Sequence, residues 1–171
     1  MAKSEEVPTP RGNVVSTHVF VDKDHAVDRA NRRSHIGVLI FSNKAPIQWY
    51  IKQHNTVETR TFSSEFIALK IATELVEALQ LKLRMFGIPI EGPINMFCEN
   101  KAVYNNVSTP ESTLNKKNVS ICYRKCREAV AAGVARIDKE GTATNLDDLF
   151  TKILVQIRHE ILLEKFTYLF I

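Results

Sequence analysis

The sequence has little of what marks a secreted or membrane-embedded chain. Cysteine is scarce: Cys98, Cys122 and Cys126 are the only three. An odd count with no secretory signal argues for reduced thiols rather than a disulfide framework. Cys122 and Cys126 are four apart and share one face if helical. No further ligands lie near them at zinc-like spacing, so the preferred reading is two small apolar residues facing a core. No apolar run approaches the roughly 18–20 residues that span a bilayer. The N-terminal MAKSEEVPTPRGN is polar and lacks a signal-peptide core. A soluble intracellular chain with no membrane partner is expected. Internal repeats and low-complexity tracts are absent. So are a Walker-type phosphate loop and a Ser-His-Asp or Cys-His set, which removes nucleotide-loop and covalent-nucleophile chemistry from consideration.

The chain has 171 residues, 44% of them hydrophobic. That suits one domain with a core that needs no disulfide or structural metal. Residues 1–14 carry Pro8, Pro10 and Gly12 and few apolar side chains. They read as a flexible tail or linker stub, leaving 15–171 as the domain. The net charge of +4 and pI near 9.0 permit a nucleic-acid partner without demanding one. Basic residues cluster at Arg29, Arg32 and Arg33, and again at Lys116, Lys117, Arg124, Lys125 and Arg127. Taken alone, these are solvated loops and helix faces.

The hydrophobic pattern alternates between two periods. THVFVD (17–22), HIGVLIFS (35–42) and PIQWYIK (46–52) read as strands, the last two joined by a short polar hairpin connection. Residues 63–86 repeat apolar positions at helical spacing, with Ser63 or Ser64 as the expected cap and Gly87 and Pro89 as the stop. A strand at 94–99, helices at 102–107 and 118–133, a strand at 134–138 and helices at 145–154 and 159–171 follow. The order predicts an α/β domain with a mixed five-stranded sheet: three antiparallel strands, then parallel strands reached through helical crossovers.

Four acids stand at ends of these elements. Asp22 closes the first strand and Glu99 the fourth; Glu65 and Asp148 open helices. Each is accounted for separately as a turn residue or a favourable charge at a helix start. Together they are expected at one edge of the sheet, where ligands bind in open α/β folds. Clustered carboxylates repel one another unless cations offset them. Hard divalent ions with oxygen ligands do so, and two of them about 4 Å apart hydrolyse phosphodiesters.

VFVD, the RRSHIG segment, SSEFIALKIA, MFCEN and NLDDLFTK together resemble the RNase H domain of copia-type retrotransposon polyproteins. PESTLNKK and REAVAAG sit where that family carries similar segments, and the likeness covers about residues 17–155. The resemblance implies an RNase H-like fold and hydrolysis of the RNA strand of RNA–DNA hybrids. Asp22, Glu65, Glu99 and Asp148 would hold two Mg²⁺ or Mn²⁺ ions, with Asp22 bridging them. It also implies a reverse transcriptase domain in the parent polyprotein, and a cytoplasmic, particle-associated or nuclear location. Arg32, Arg33, Ser64, Asn100, Lys116, Lys117 and Arg124 become candidate contacts to the hybrid, gripped by backbone and shape.

The sequence departs from the family pattern at four points. Glu99 replaces an Asp, lengthening the reach by about 1.5 Å, and misplacement of about 1 Å costs metal-assisted catalysis near a hundredfold. Asn118 and Arg124 stand where the family carries histidines. Asp147 replaces a small apolar residue beside Asp148; Asp148 is preferred as ligand by its spacing to Thr151 and Lys152. His25 is read as a surface loop histidine. The alternative reading is a catalytically weakened or repurposed domain that binds nucleic acid without efficient cleavage. A third is an interaction module whose acids are only caps and turns.

Overall fold

A computed structural model describes residues 11–24, 35–53, 61–109, 111–112, 119–141, 144–152 and 154–168. Arg29, Arg32, Arg33, His25, Lys116, Lys117 and Asn118 lie outside the described residues. Five strands form one sheet: β1 (Thr17–Asp24), β2 (His35–Ser42), β3 (Ala45–Gln53), β4 (Ile94–Cys98) and β5 (Ala135–Lys139). Their spatial order is β3-β2-β1-β4-β5. The β1–β2 and β2–β3 pairs are antiparallel, and the β1–β4 and β4–β5 pairs are parallel. The helices are α1 (Thr61–Met85), α2 (Lys101–Ser108), α3 (Ser120–Ala131), α4 (Asp148–Thr151) and α5 (Gln156–Tyr168). No helix among the described residues is long and apolar enough to cross a membrane.

The interior strand β2 is apolar on both faces because both are covered. Ile36, Val38 and Ile40 join the larger core with Phe66, Leu69, Ala72 and Val76 of α1 and Cys126 of α3. The alternate residues Leu39 and Phe41 join a smaller core with Leu146 and Leu162, flanked by Phe20, Phe150 and Phe166. The period-2 alternation of a strand thus divides one sequence run between two layers. Edge strand β3 instead alternates exposed and half-buried positions. Cys126 is buried and Cys122 is half-buried against the larger core, and none of the three cysteines is in a disulfide.

Helix α1 begins at Thr61, before either serine expected to cap it. Phe62 supplies the reason: it packs against the core and meets Phe66 edge-on at 5.0 Å, so the apolar face starts earlier. Its end is as expected. Gly87 takes φ 71°, and the N–H groups of Gly87 and Ile88 bond the carbonyls of Arg84 and Leu83. This pair of hydrogen bonds and the left-handed glycine are a Schellman stop. The helix expected over 145–154 shrinks to the single turn of α4, because Lys152 already has extended backbone (φ −119°, ψ 147°). Strand β1 runs to Asp24, two residues past its expected end, because its pairing with β2 continues to His35.

Candidate active site

The parallel register of β1 and β4 brings two acids to one sheet end. The last aligned pair is Val21 with Cys98, and the next residues are Asp22 and Glu99. The N–H of Asp22 is donated to Asp147 Oδ2 at 2.9 Å. That bond ties the short α4 turn to β1 and carries the neighbouring Asp148 toward the same place. Oxygens of Asp22, Glu99 and Asp148 lie within 4.8 Å of one another. Asp148 is wholly buried and Asp22 nearly so.

The close approach of α4 depends on Gly37, the partner of Asp22 across β1–β2. A Cβ there would fall 2.8 Å from Asp147 Cγ, and closer still to Asp147 Oδ2 and Thr151 Cγ2. The neighbouring acids therefore divide their tasks. Asp147 turns inward as a brace, while Asp148 faces the carboxylate group.

Glu65 stands apart from the three. It is the fifth residue of α1, one position beyond the first turn where it was expected. Asn100, next in the chain to Glu99, holds the Glu65 side chain. Its Nδ2 donates to Glu65 Oε1 at 3.3 Å, and its Oδ1 caps α2 by accepting from Ala102 N and Val103 N. Ser64, a candidate hybrid contact, is buried and accepts a hydrogen bond from Lys23 Nζ. Arg124 is exposed on α3.

Three residues at this site were not singled out as functional in the sequence. Thr151 donates its hydroxyl to Asp22 Oδ2 at 2.6 Å. Lys152 Nζ lies 2.5 Å from Asp148 Oδ1, 3.1 Å from Asp22 Oδ2 and 3.5 Å from Glu99 Oε2. Arg158 of α5 pairs with the other Asp148 oxygen. The Thr-Lys dipeptide was visible as a motif; a lysine four residues past Asp148 was the available signal. Arg158 lies in another helix, and nothing in the sequence ties it to Asp148.

Burial dominates the electrostatics. It pushes Glu65 up to about 7, against the Asn100 hydrogen bond, and Asp22 and Glu99 push the same way. Burial and then Asp22 raise Glu99, with Lys152 opposing. Asp147 is raised well above the usual carboxylate range by burial and by Asp22. Asp148 is raised by burial, against the Lys152 hydrogen bond. Burial alone would lower Lys152, but its bond to Asp148 and the surrounding negative charge outweigh that and raise it.

The residues fit hard divalent cations. The donor set is all carboxylate oxygen. Among the described residues, the buried Glu99 Oε1 finds no hydrogen-bond partner, and such an atom is costly unless a cation or water meets it.

No family model matches the chain. It is 25% identical over 144 residues to the retrovirus-related Pol polyprotein from transposon RE1 of Arabidopsis thaliana, and 24% identical over 147 residues to that from RE2. These matches cover 84% and 86% of the chain but only 10% of each relative, so the chain spans about a tenth of their length. Among solved structures, RNase H1 from Halobacterium salinarum superposes with a TM-score of 0.57 at 16% identity, covering 77% of this chain and 90% of that one. LC11-RNase H1, solved in complex with an RNA/DNA hybrid, gives 0.58 at 15% identity, covering 76% and 88%. The chain has the RNase H fold, and its sequence relatives are the retrovirus-related Pol polyproteins of copia-type transposons.

Proposed function

We propose that the chain is an RNase H-type endonuclease domain that hydrolyses the RNA strand of RNA–DNA hybrids with two divalent ions, Mg²⁺ or Mn²⁺. The observation that carries this reading is the convergence of Asp22, Glu99 and Asp148 where the parallel pairing of β1 and β4 ends in this fold. These three residues would hold the ions, with Glu65 beside them. When bound, such ions activate water and stabilise the leaving oxygen of a phosphodiester.

The remaining side chains prepare the ligands. Thr151 fixes one oxygen of Asp22, Asp147 anchors its backbone, and Asn100 orients Glu65. The hybrid would lie across this sheet end, met by Arg124 and by the basic residues Arg32, Arg33, Lys116 and Lys117. Its duplex shape and 2′-hydroxyls would distinguish it from DNA. A reverse transcriptase domain is the natural neighbour in a polyprotein of the kind the relatives represent.

The test is incubation of folded protein with end-labelled hybrid in Mg²⁺ and in Mn²⁺. Cleavage of the RNA strand alone, abolished by Asp22→Asn, is expected. A folded sample that leaves the hybrid intact in both metals overturns the proposal.

A further inference from the structure

Lys152 sits where a cation belongs. Its ammonium reaches the same three carboxylates, Asp22, Glu99 and Asp148, whose oxygens converge. Its backbone is already extended at the end of α4, and a quarter of its side-chain surface remains exposed. The head group therefore has a path back to water.

The ammonium and a divalent ion exclude each other at that point. A magnesium ion takes carboxylate oxygens at about 2.0–2.1 Å, whereas Lys152 Nζ already lies 2.5–3.5 Å from three of them. Two cations centred among the same oxygens would also repel each other. Lys152 is an incomplete substitute, since it leaves Glu99 Oε1 unmet. Arg158 occupies the far oxygen of Asp148 and does not compete for this centre.

We propose that Lys152 is a tethered counter-cation that holds the divalent-ion position on Asp22, Glu99 and Asp148 and leaves it when the ion binds. It thereby sets the ion concentration at which the site loads. This rests on the nuclease reading of the site and adds to it a built-in competitor: without metal, the carboxylates stay compensated and the fold is kept.

Calorimetric titration of Mg²⁺, and separately Mn²⁺, into chelator-stripped protein tests the proposal without any substrate. Lys152→Met removes the charge and keeps the stem. It is expected to bind the ion at least about tenfold more tightly than wild type, while Lys152→Arg shows no such gain and Asp22→Asn loses binding. Wild-type binding that Lys152→Met leaves equal or weaker overturns the competitor role and leaves the nuclease reading intact. Absence of binding in both wild type and Lys152→Met overturns both. If Lys152→Met does not fold, the wild type decides: the ¹⁵Nζ resonance of Lys152 should shift over the same Mg²⁺ range as binding. A resonance unmoved at saturating Mg²⁺ overturns the competitor role.

Discussion

The two faces of the sheet are built differently. The α1–α3 face holds a large apolar core in which side chains from both helices interlock with β1, β2 and β4. Among the described residues, the α4–α5 face has a smaller apolar cluster of four buried side chains, with half-buried phenylalanines and leucines around them, and its other buried groups are polar. The site lies where the layers meet, and the same contrast runs through its acids. Glu65 comes from the large-core side and is steadied by the neutral amide of Asn100. Asp148 comes from the small-core side and is held between the cations Lys152 and Arg158. The large layer fixes the fold. The small one carries a charged, adjustable part of the site.

Truncation should separate the two faces first. Phe66→Ala, in the large core, is expected to cost about 3–5 kcal/mol, read as a lower urea midpoint. Leu162→Ala in the small core should cost roughly 2–3 kcal/mol and weaken divalent-ion binding, because α5 carries Arg158. Equal losses with unchanged ion affinity would erase the distinction. Gly37→Ala should cost about 1–3 kcal/mol and also reduce ion affinity, by pushing Asp147 and α4 off β1. A stable variant with normal affinity would show that α4 does not need that close approach.

The carboxylates add a pH dependence with a definite sign. Glu65 titrates near 7 in the folded chain against an ordinary 4.5, so the folded state binds the extra proton between those values. Its stabilising share is full below about pH 4.5 and is lost as pH rises through about 7. Glu99, Asp147 and Asp148 are shifted in the same direction. In chelator, the melting midpoint should therefore fall from about pH 5 to about pH 7.5, and Glu65→Gln should flatten the slope. A midpoint rising over that interval contradicts the assigned burial. Glu99→Asp leaves the fold unchanged, withdraws the carboxylate by about 1.5 Å and should raise hybrid cleavage, by up to about a hundredfold. A steep fall in cleavage would mean that the site is fitted to the longer side chain.

Much of this architecture was legible because it follows from local chemistry. The HIGVLIFS run matches β2 residue for residue, and the polar SNKA connection is a turn with Asn43 at φ 54°. Gly87 stops α1 as its type suggests. What escaped depended on partners distant in sequence. Strand β1 outruns Asp22 only because β2 pairs with it as far as His35. The 145–154 segment keeps helical spacing but stops after one turn, where Lys152 serves the carboxylates instead. Asp22, Glu99 and Asp148 could be nominated from their places at element ends. That Glu65 stands outside their tight group, and that Asp147 turns away from it, follows from packing around Gly37 and Asn100.

Anomalous diffraction from crystals soaked in Mn²⁺ would settle whether these carboxylates form a cation site. Peaks at about 2.1–2.2 Å from oxygens of Asp22, Glu99 and Asp148, with the Lys152 ammonium swung outward, are the expected result. An ordered Lys152 still seated among those oxygens, with no manganese beside them at saturating concentration, would contradict it.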